Sequence, residues 1–243
     1  MSRFYVPREF VKGKTISIDG DEAHHILDVM RLKPLEKVVV FDGTGREYVG
    51  FIKDAKRKSL TVEITGTRDV STGGKIAVTL IQAIPKKEKM DRIVEKATEL
   101  GVNSIVPVVT GRTIVDWDEA KRSSAAERWR RIAREAAKQC GRTDIPAIGN
   151  VRPFAEVVST FGTYDLAMLA ALSDETVELK KALAGFQGKS VAIAIGPEGD
   201  FTPDEIRDAL RAGVKTVSLG PRVLKSDTAG LAVLAILDHE LSH

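Results

Sequence analysis

The sequence predicts an α/β protein with a small β-rich unit at its N-terminal end, and three observations carry that expectation. Residues 37–66 hold three short β-branched or aromatic runs, VVVFDG, REYVGFI and SLTVEITG, broken by Gly, Asp and Lys-Arg-Lys turns. From residue 76 the grammar changes to short apolar runs alternating with helical periodicity, which is how helices covering a parallel sheet read. Between the two, Ser71-Thr72-Gly73-Gly74 is a short break of small residues, setting the expected domains at 1–72 and 73–243.

Along the second domain, IAVTLIQ (76–82) reads as a buried strand. It is followed by Met90, Ile93, Val94, Ala97 and Leu100 at helical spacing, with Gly101 as the stop. The strand SIVPVV follows, and residues 128–140 then place Trp129, Ile132, Ala133, Ala136, Ala137 and Cys140 on one helical stripe. LAMLA (166–170), SVAIAIG (190–196) and TVSLG (216–220) are further strands. Thr202-Pro203-Asp204-Glu205 is a compact helix start, with a capping threonine, a proline at the first helical position and a capping-box glutamate. Gly213 closes that helix. The last helix, expected from Asp227, carries AGLAVLAIL with scarcely a polar face, so it should bury against the sheet or a second subunit.

With 243 residues and 43% hydrophobic content the chain can close a core unaided. No apolar stretch approaches the roughly 20 residues that cross a bilayer. The opening MSRFYVPREFVKGK lacks the apolar block of a secretory signal, so a cytoplasmic protein without membrane contact is expected. The single cysteine, Cys140, excludes an internal disulfide and reads as a small core residue, and no structural metal is expected. Net charge is only +3, too little to announce nucleic acid by itself. Basic residues cluster in Lys86-Lys87-Glu88-Lys89, in 128–142 and in the N-terminal third, as solvated faces or as RNA contacts.

Chemistry concentrates where three strand ends enter unusual loops, the place where open α/β sheets bind ligands. These are Ala170-Ala171-Leu172-Ser173, then Ile195-Gly196-Pro197-Glu198-Gly199-Asp200-Phe201, then the run 219–229 from Leu219 to Ala229. Gly196-Pro197-Glu198-Gly199 suits either a sharp strand-to-helix turn or a nucleotide-like pocket. It lacks the Gly-Lys-Ser/Thr ending of a P-loop and the spacing of a dinucleotide fingerprint, which counts against phosphoryl transfer and nicotinamide chemistry. Arg222, Lys225, Asp227 and Thr228 crowd polar groups beside a buried helix, where mutual pairing or a ligand must satisfy them.

Five segments together resemble the RsmE-type ribosomal RNA uridine-N3 methyltransferases of the SPOUT superfamily: IGPEGDFTPDE (195–205), LGPRVLKSDTA (219–229), KMDRIVEKATELGV (89–102), RWRRIAREAAKQCGR (128–142) and HHILDVMRLKPLEKVVVFDG (24–43). The resemblance covers the whole chain. It implies an RNA-binding PUA-like β-barrel over 1–72 and, over 73–243, a SPOUT-type α/β domain with a deep trefoil knot that dimerises. It also implies S-adenosylmethionine as cofactor, small-subunit (16S) ribosomal RNA in the small ribosomal subunit as substrate, and a homodimer. On this chain the cofactor residues would be Leu172, Ile195, Gly196, Pro197, Gly199, Leu219, Gly220, Leu224, Thr228 and Ala229. Arg222 or Lys225 would stabilise negative charge on the uracil, and Asp227 would orient the basic group or receive the proton. Arg31, Lys33, Lys86, Arg112, Arg134 and Arg142 would hold RNA phosphates, with Glu99 and Gln139 as walls of the site. Two departures stand out: Asp200 replaces a common glycine, and Lys225-Ser226-Asp227-Thr228 replaces an Arg-x-Glu-Thr arrangement. A methyltransferase acting on another RNA site and a non-catalytic RNA-binding or ribosome-assembly factor are the alternative readings.

Overall fold

The computed structural model describes residues 3–70, 74, 76–115, 117–172 and 175–241. Ser71, Thr72 and Gly73 of the expected break, and Ser173 of the first strand-end loop, lie outside the described residues. The chain forms two compact units, residues 1–72 with 137–145, and residues 73–136 with 146–243. The first unit is therefore discontinuous in sequence, unlike the single expected boundary. Backbone bonds explain the addition: Ile145 N–H donates to the Gly43 carbonyl and Gly45 N–H to the Thr143 carbonyl, each at 3.1 Å.

In the first unit, β1 (Arg3–Tyr5), β2 (Val11–Lys12), β3 (Thr15–Asp19), β4 (Lys37–Phe41), β5 (Arg46–Lys56) and β6 (Ser59–Asp69) form one sheet in the order β1-β4-β5-β6-β3-β2. β4, β5 and β6 are the expected runs; β1, β2 and β3 are too short and too mixed in polarity to stand out in the sequence. Helix α1 (Gly20–His24) follows β3. Alternation along β3 turns Ile16 and Ile18 inward. They share a core with Phe4 of β1 and Val38 and Val40 of β4, so the two ends of the sheet close around one interior. Cys140 is exposed, which corrects its reading as a core residue: the helical stripe buries Trp129, Ala133, Ala136 and Ala137 and runs out at the helix end. Arg142, expected among the phosphate contacts, is buried and ion-paired with Asp144 at 2.5 Å, so it braces this unit.

The second unit carries β7 (Ala77–Ala83), β8 (Ser104–Val109), β9 (Ala147–Ile148), β10 (Arg152–Pro153), β11 (Leu166–Ala170), β12 (Val177–Glu178), β13 (Ser190–Ile195) and β14 (Lys215–Ser218). They pair in the order β10-β8-β7-β13-β11-β14-β12, with β9 beside β8, and every pairing is parallel. The helices are α2 (Lys89–Glu99), α3 (Glu119–Cys140), α4 (Phe154–Val158), α5 (Leu179–Leu183), α6 (Pro203–Arg211) and α7 (Ser226–Leu241). Because both faces are covered, the strands are apolar runs, as in β13, where VAIAI (191–195) is buried throughout. Phe154, Val157, Phe161, Phe201 and Ala209 pack on the sheet residues Leu169, Ala192 and Ala194.

α7 starts one residue earlier than expected and packs on α2, β7 and β13. Its period buries Ser226, Ala229, Gly230, Val233, Leu234 and Leu237 and leaves Ala235 and Ile236 outward. Among the described residues no helix is long and apolar enough to cross a membrane.

Candidate active site

β13, β11 and β14 are adjacent and parallel, so their C-terminal ends open on one edge of the sheet. The following loops meet there around a cavity of about 240 Å³. Leu172, Ile195, Gly196, Pro197, Leu219, Gly220, Leu224 and Ala229 form its wall together with Ala170 and Val217. Two glycines shape it. A Cβ at Gly196 would stand 3.2 Å from Asp200 Oδ1 and from the Phe201 ring, and that ring is buried against Phe154 at 4.7 Å. Gly220 has φ +114°, a conformation that a side chain strains.

Hydrogen bonds fix the loops to one another. Asp200 has φ +62° and its carboxylate accepts from Leu172 N–H at 2.9 Å and from its neighbour Phe201 N–H at 2.8 Å, so it ties the first loop to the second. Beneath the cavity, buried Gln82 at the end of β7 donates from Nε2 to Ser226 Oγ at 3.0 Å. Ser226 Oγ in turn donates to the Gly196 carbonyl at 2.6 Å, joining the second loop to α7. Arg112 Nη1 donates to the Gly199 carbonyl at 2.6 Å and the Phe201 carbonyl at 3.2 Å. The expected capping box on α6 is formed, with Glu205 Oε2 accepting from Thr202 N–H and Oε1 from Gly111 N–H, each at 2.8 Å.

Lys89, at the start of α2, bridges two carboxylates, Glu198 at 3.2 Å and Asp227 at 3.3 Å. Burial works against ionised Glu198, but hydrogen bonds from its own and Lys86's backbone N–H and from the Lys89 ammonium outweigh it, and its pKa falls below the usual carboxylate value. The Glu198 hydrogen bond, with Asp227 adding to it, raises the pKa of Lys89. A depressed carboxylate stabilises the fold above its unfolded pKa and loses that contribution as pH falls through its folded value; a raised lysine stabilises below its unfolded pKa and loses it as pH rises through its folded value. Thermal stability should therefore be flat between about pH 6 and 9 as far as Glu198 and Lys89 are concerned. In Lys89→Met the acid limb should move to higher pH, measured by melting curves from pH 3 to 7; an unshifted limb would show that the bridge does not set it.

The predicted site residues divide. Arg222 and Lys225 lie exposed on the cavity wall, and among the described residues neither is ion-paired. Gly199 is not in the wall; its carbonyl is held by Arg112. Asp227 and Thr228 also leave it, because the first turn of α7 rotates Ser226 and Ala229 inward and turns these two toward a separate cleft shared with Arg92 and Leu231. Asp227 therefore meets Lys89 and neither of the cations it was expected to orient. Glu99 pairs with Lys96 at 2.7 Å, and Gln139 is exposed near the end of α3. Arg31, Lys33 and Lys86 are exposed, and Arg134 is partly buried. Sequence reasoning passed over Gln82, Ser226, Glu198 and Lys89. The signal for the first was a glutamine near the end of a mostly apolar strand, and for the last a lysine at a helix start.

A family model described as RNA methyltransferase domain matches residues 73–238, and one described as RNA methyltransferase PUA domain matches 18–65. A protein of Mycobacterium tuberculosis named ribosomal RNA small subunit methyltransferase E is 33% identical over 95% of this chain and 88% of its own. A putative methyltransferase from Legionella pneumophila, solved with bound S-adenosylmethionine, is 30% identical with a TM-score of 0.86 over 98% of this chain and 96% of its own. The ribosomal RNA small subunit methyltransferase E of Neisseria gonorrhoeae, also solved with S-adenosyl methionine, is 28% identical with a TM-score of 0.86 over 98% of this chain and 97% of its own.

Proposed function

This chain belongs to the RNA methyltransferase family, with a PUA domain ahead of its α/β domain, and we propose that it methylates N3 of a uridine in small-subunit (16S) ribosomal RNA with S-adenosylmethionine as the methyl donor. The observation that carries the reading is the cavity where three parallel strands end, in a chain aligned nearly end to end with relatives solved holding that cofactor. The wall suits the ligand. Leu172, Ile195, Leu219 and Leu224 offer apolar faces to an adenine ring, and Glu198, kept ionised, offers compensation for a cationic centre. Gly199 and Thr228 fall outside this proposed set.

S-adenosylmethionine supplies an electrophilic methyl group when bound. The protein's task is to place N3 in line with it and ease loss of the N3 proton. Arg222 and Lys225 are the cations able to stabilise negative charge spreading onto the uracil oxygens. Asp227 acts as a positioning residue through Lys89, which it shares with the wall residue Glu198. Arg31 and Lys33 in the first unit, and Lys86, Arg134 and the remaining nitrogens of Arg112 in the second, hold phosphates. The apolar outer residues of α7, Leu231 and Ile236 among them, support a homodimer, which light scattering tests. A trefoil knot at the strand-end loops and a cytoplasmic setting belong to the same reading.

A methyl on N3 blocks the Watson–Crick edge, so reverse transcription of small-subunit RNA should stop beside one uridine in cells with the active protein and read through in cells without it. A stop elsewhere would favour another RNA position, and unchanged read-through would contradict the assignment.

A further inference from the structure

The α/β unit has a further cleft, of about 420 Å³, whose lining shares no residue with the strand-end cavity. Its floor is Trp129, buried, with its indole N–H donating to Asp91 Oδ1 at 3.1 Å; the other Asp91 oxygen accepts from Arg128. Trp117 leans on it with ring centroids 6.1 Å apart and planes tilted by 34°, and stays partly exposed. Lys121 Nζ lies 5.5 Å from the Trp117 ring centroid, and Lys87, exposed and held at φ +62°, joins it in the lining. Core packing accounts for Trp129. It does not account for a second, partly exposed indole with an ammonium group over its ring, in a lining where Lys87 and Lys121 stand beside the carboxylate of Glu88.

A partly exposed aromatic ring beside ammonium groups is an arrangement that binds single-stranded nucleic acid, the base stacking on the ring once the lysine swings to the phosphate. We propose that this cleft binds one unpaired nucleotide of the substrate RNA outside the target position, its base stacked on Trp117 and its phosphate held by Lys87 and Lys121. The inference rests on the RNA-methylating reading above. It adds a contact that would help hold the substrate's unpaired segment while the target base enters the other cavity.

The chain's two tryptophans are both in this cleft, so intrinsic fluorescence reports on it directly. Titrating the full-length protein with hexauridylate should give saturable quenching. Trp117→Ala and Lys121→Ala should each weaken binding roughly 10-fold, within the range of base–aromatic stacking, while Trp117→Phe retains most of it. The same variants should raise KM for small-subunit RNA by a similar factor, with kcat and affinity for S-adenosylmethionine unchanged. Wild-type affinity for hexauridylate in a folded Trp117→Ala, or in Lys121→Ala should the first fail to fold, overturns the proposal. If the wild-type protein methylates no RNA but these variants still lose hexauridylate, the functional reading fails and the cleft stands; the reverse pattern removes the cleft alone.

Discussion

Arg222→Ala should lower kcat for methyl transfer by roughly 10²- to 10³-fold, the usual loss when one group stabilising transition-state charge is removed, while binding of S-adenosylmethionine changes little. The reason is positional. Arg222 is exposed on the cavity wall, and among the described residues no carboxylate neutralises it, so its charge is available to a second ligand. The residues that would receive the cofactor, the apolar side chains of Leu172, Ile195, Leu219 and Leu224 and the loop backbone around them, are left in place by the substitution. Arg222→Lys keeps the charge but loses the planar fork, so it should recover only part of the rate. Single-turnover kinetics with calorimetry on the same preparations separates the two quantities. Equal losses of rate and of cofactor affinity would move Arg222 from the chemistry to the binding of the donor.

Asp200→Ala should weaken S-adenosylmethionine binding by about 100-fold, since hydrogen bonds to a charged group contribute about 1.5–3 kcal/mol and two loops lose their tie together. The carboxylate accepts from Leu172 N–H and Phe201 N–H, and Leu172 belongs to the cavity wall. Backbone conformation adds a second effect. At φ +62° alanine is strained and glycine is not, so Asp200→Gly should bind the cofactor better than Asp200→Ala although both lose the carboxylate. Calorimetric titration of the three proteins gives the order wild type, glycine, alanine. Equal affinity of glycine and alanine variants would remove the conformational part of the argument, and wild-type affinity in both would remove the tie itself.

That second case also shows where reading the sequence reached its limit. Asp200 stood out as a departure from a common glycine, and the left-handed backbone explains why glycine is suited there. Its hydrogen bond to a loop 28 residues away could not be read from spacing, because it depends on β11 and β13 lying side by side. The alternation of apolar runs and helical stripes was legible because the sheet is covered on both faces, and the capping box at 202–205 because it is local chemistry. Helix phase was not. Treating Arg222, Lys225, Asp227 and Thr228 as one polar cluster placed the last two with the cations, whereas one turn of α7 sends Ser226 and Ala229 into the cavity and those two out of it. Arg142 looked like part of a basic face until the end of α3 and the following loop joined the first unit and paired it with Asp144. Gln82 and Ser226 became meaningful only when β7 and α7, 144 residues apart at these two positions, came into contact.

The most direct test of the central claim is to incubate the purified protein with methyl-labelled S-adenosylmethionine and small ribosomal subunits from cells lacking it, digest the RNA and chromatograph the nucleosides. The account predicts label in a single nucleoside, N3-methyluridine, present with the wild-type protein and nearly absent with Arg222→Ala. Label in another nucleoside, or none from a protein that binds the cofactor, would contradict it.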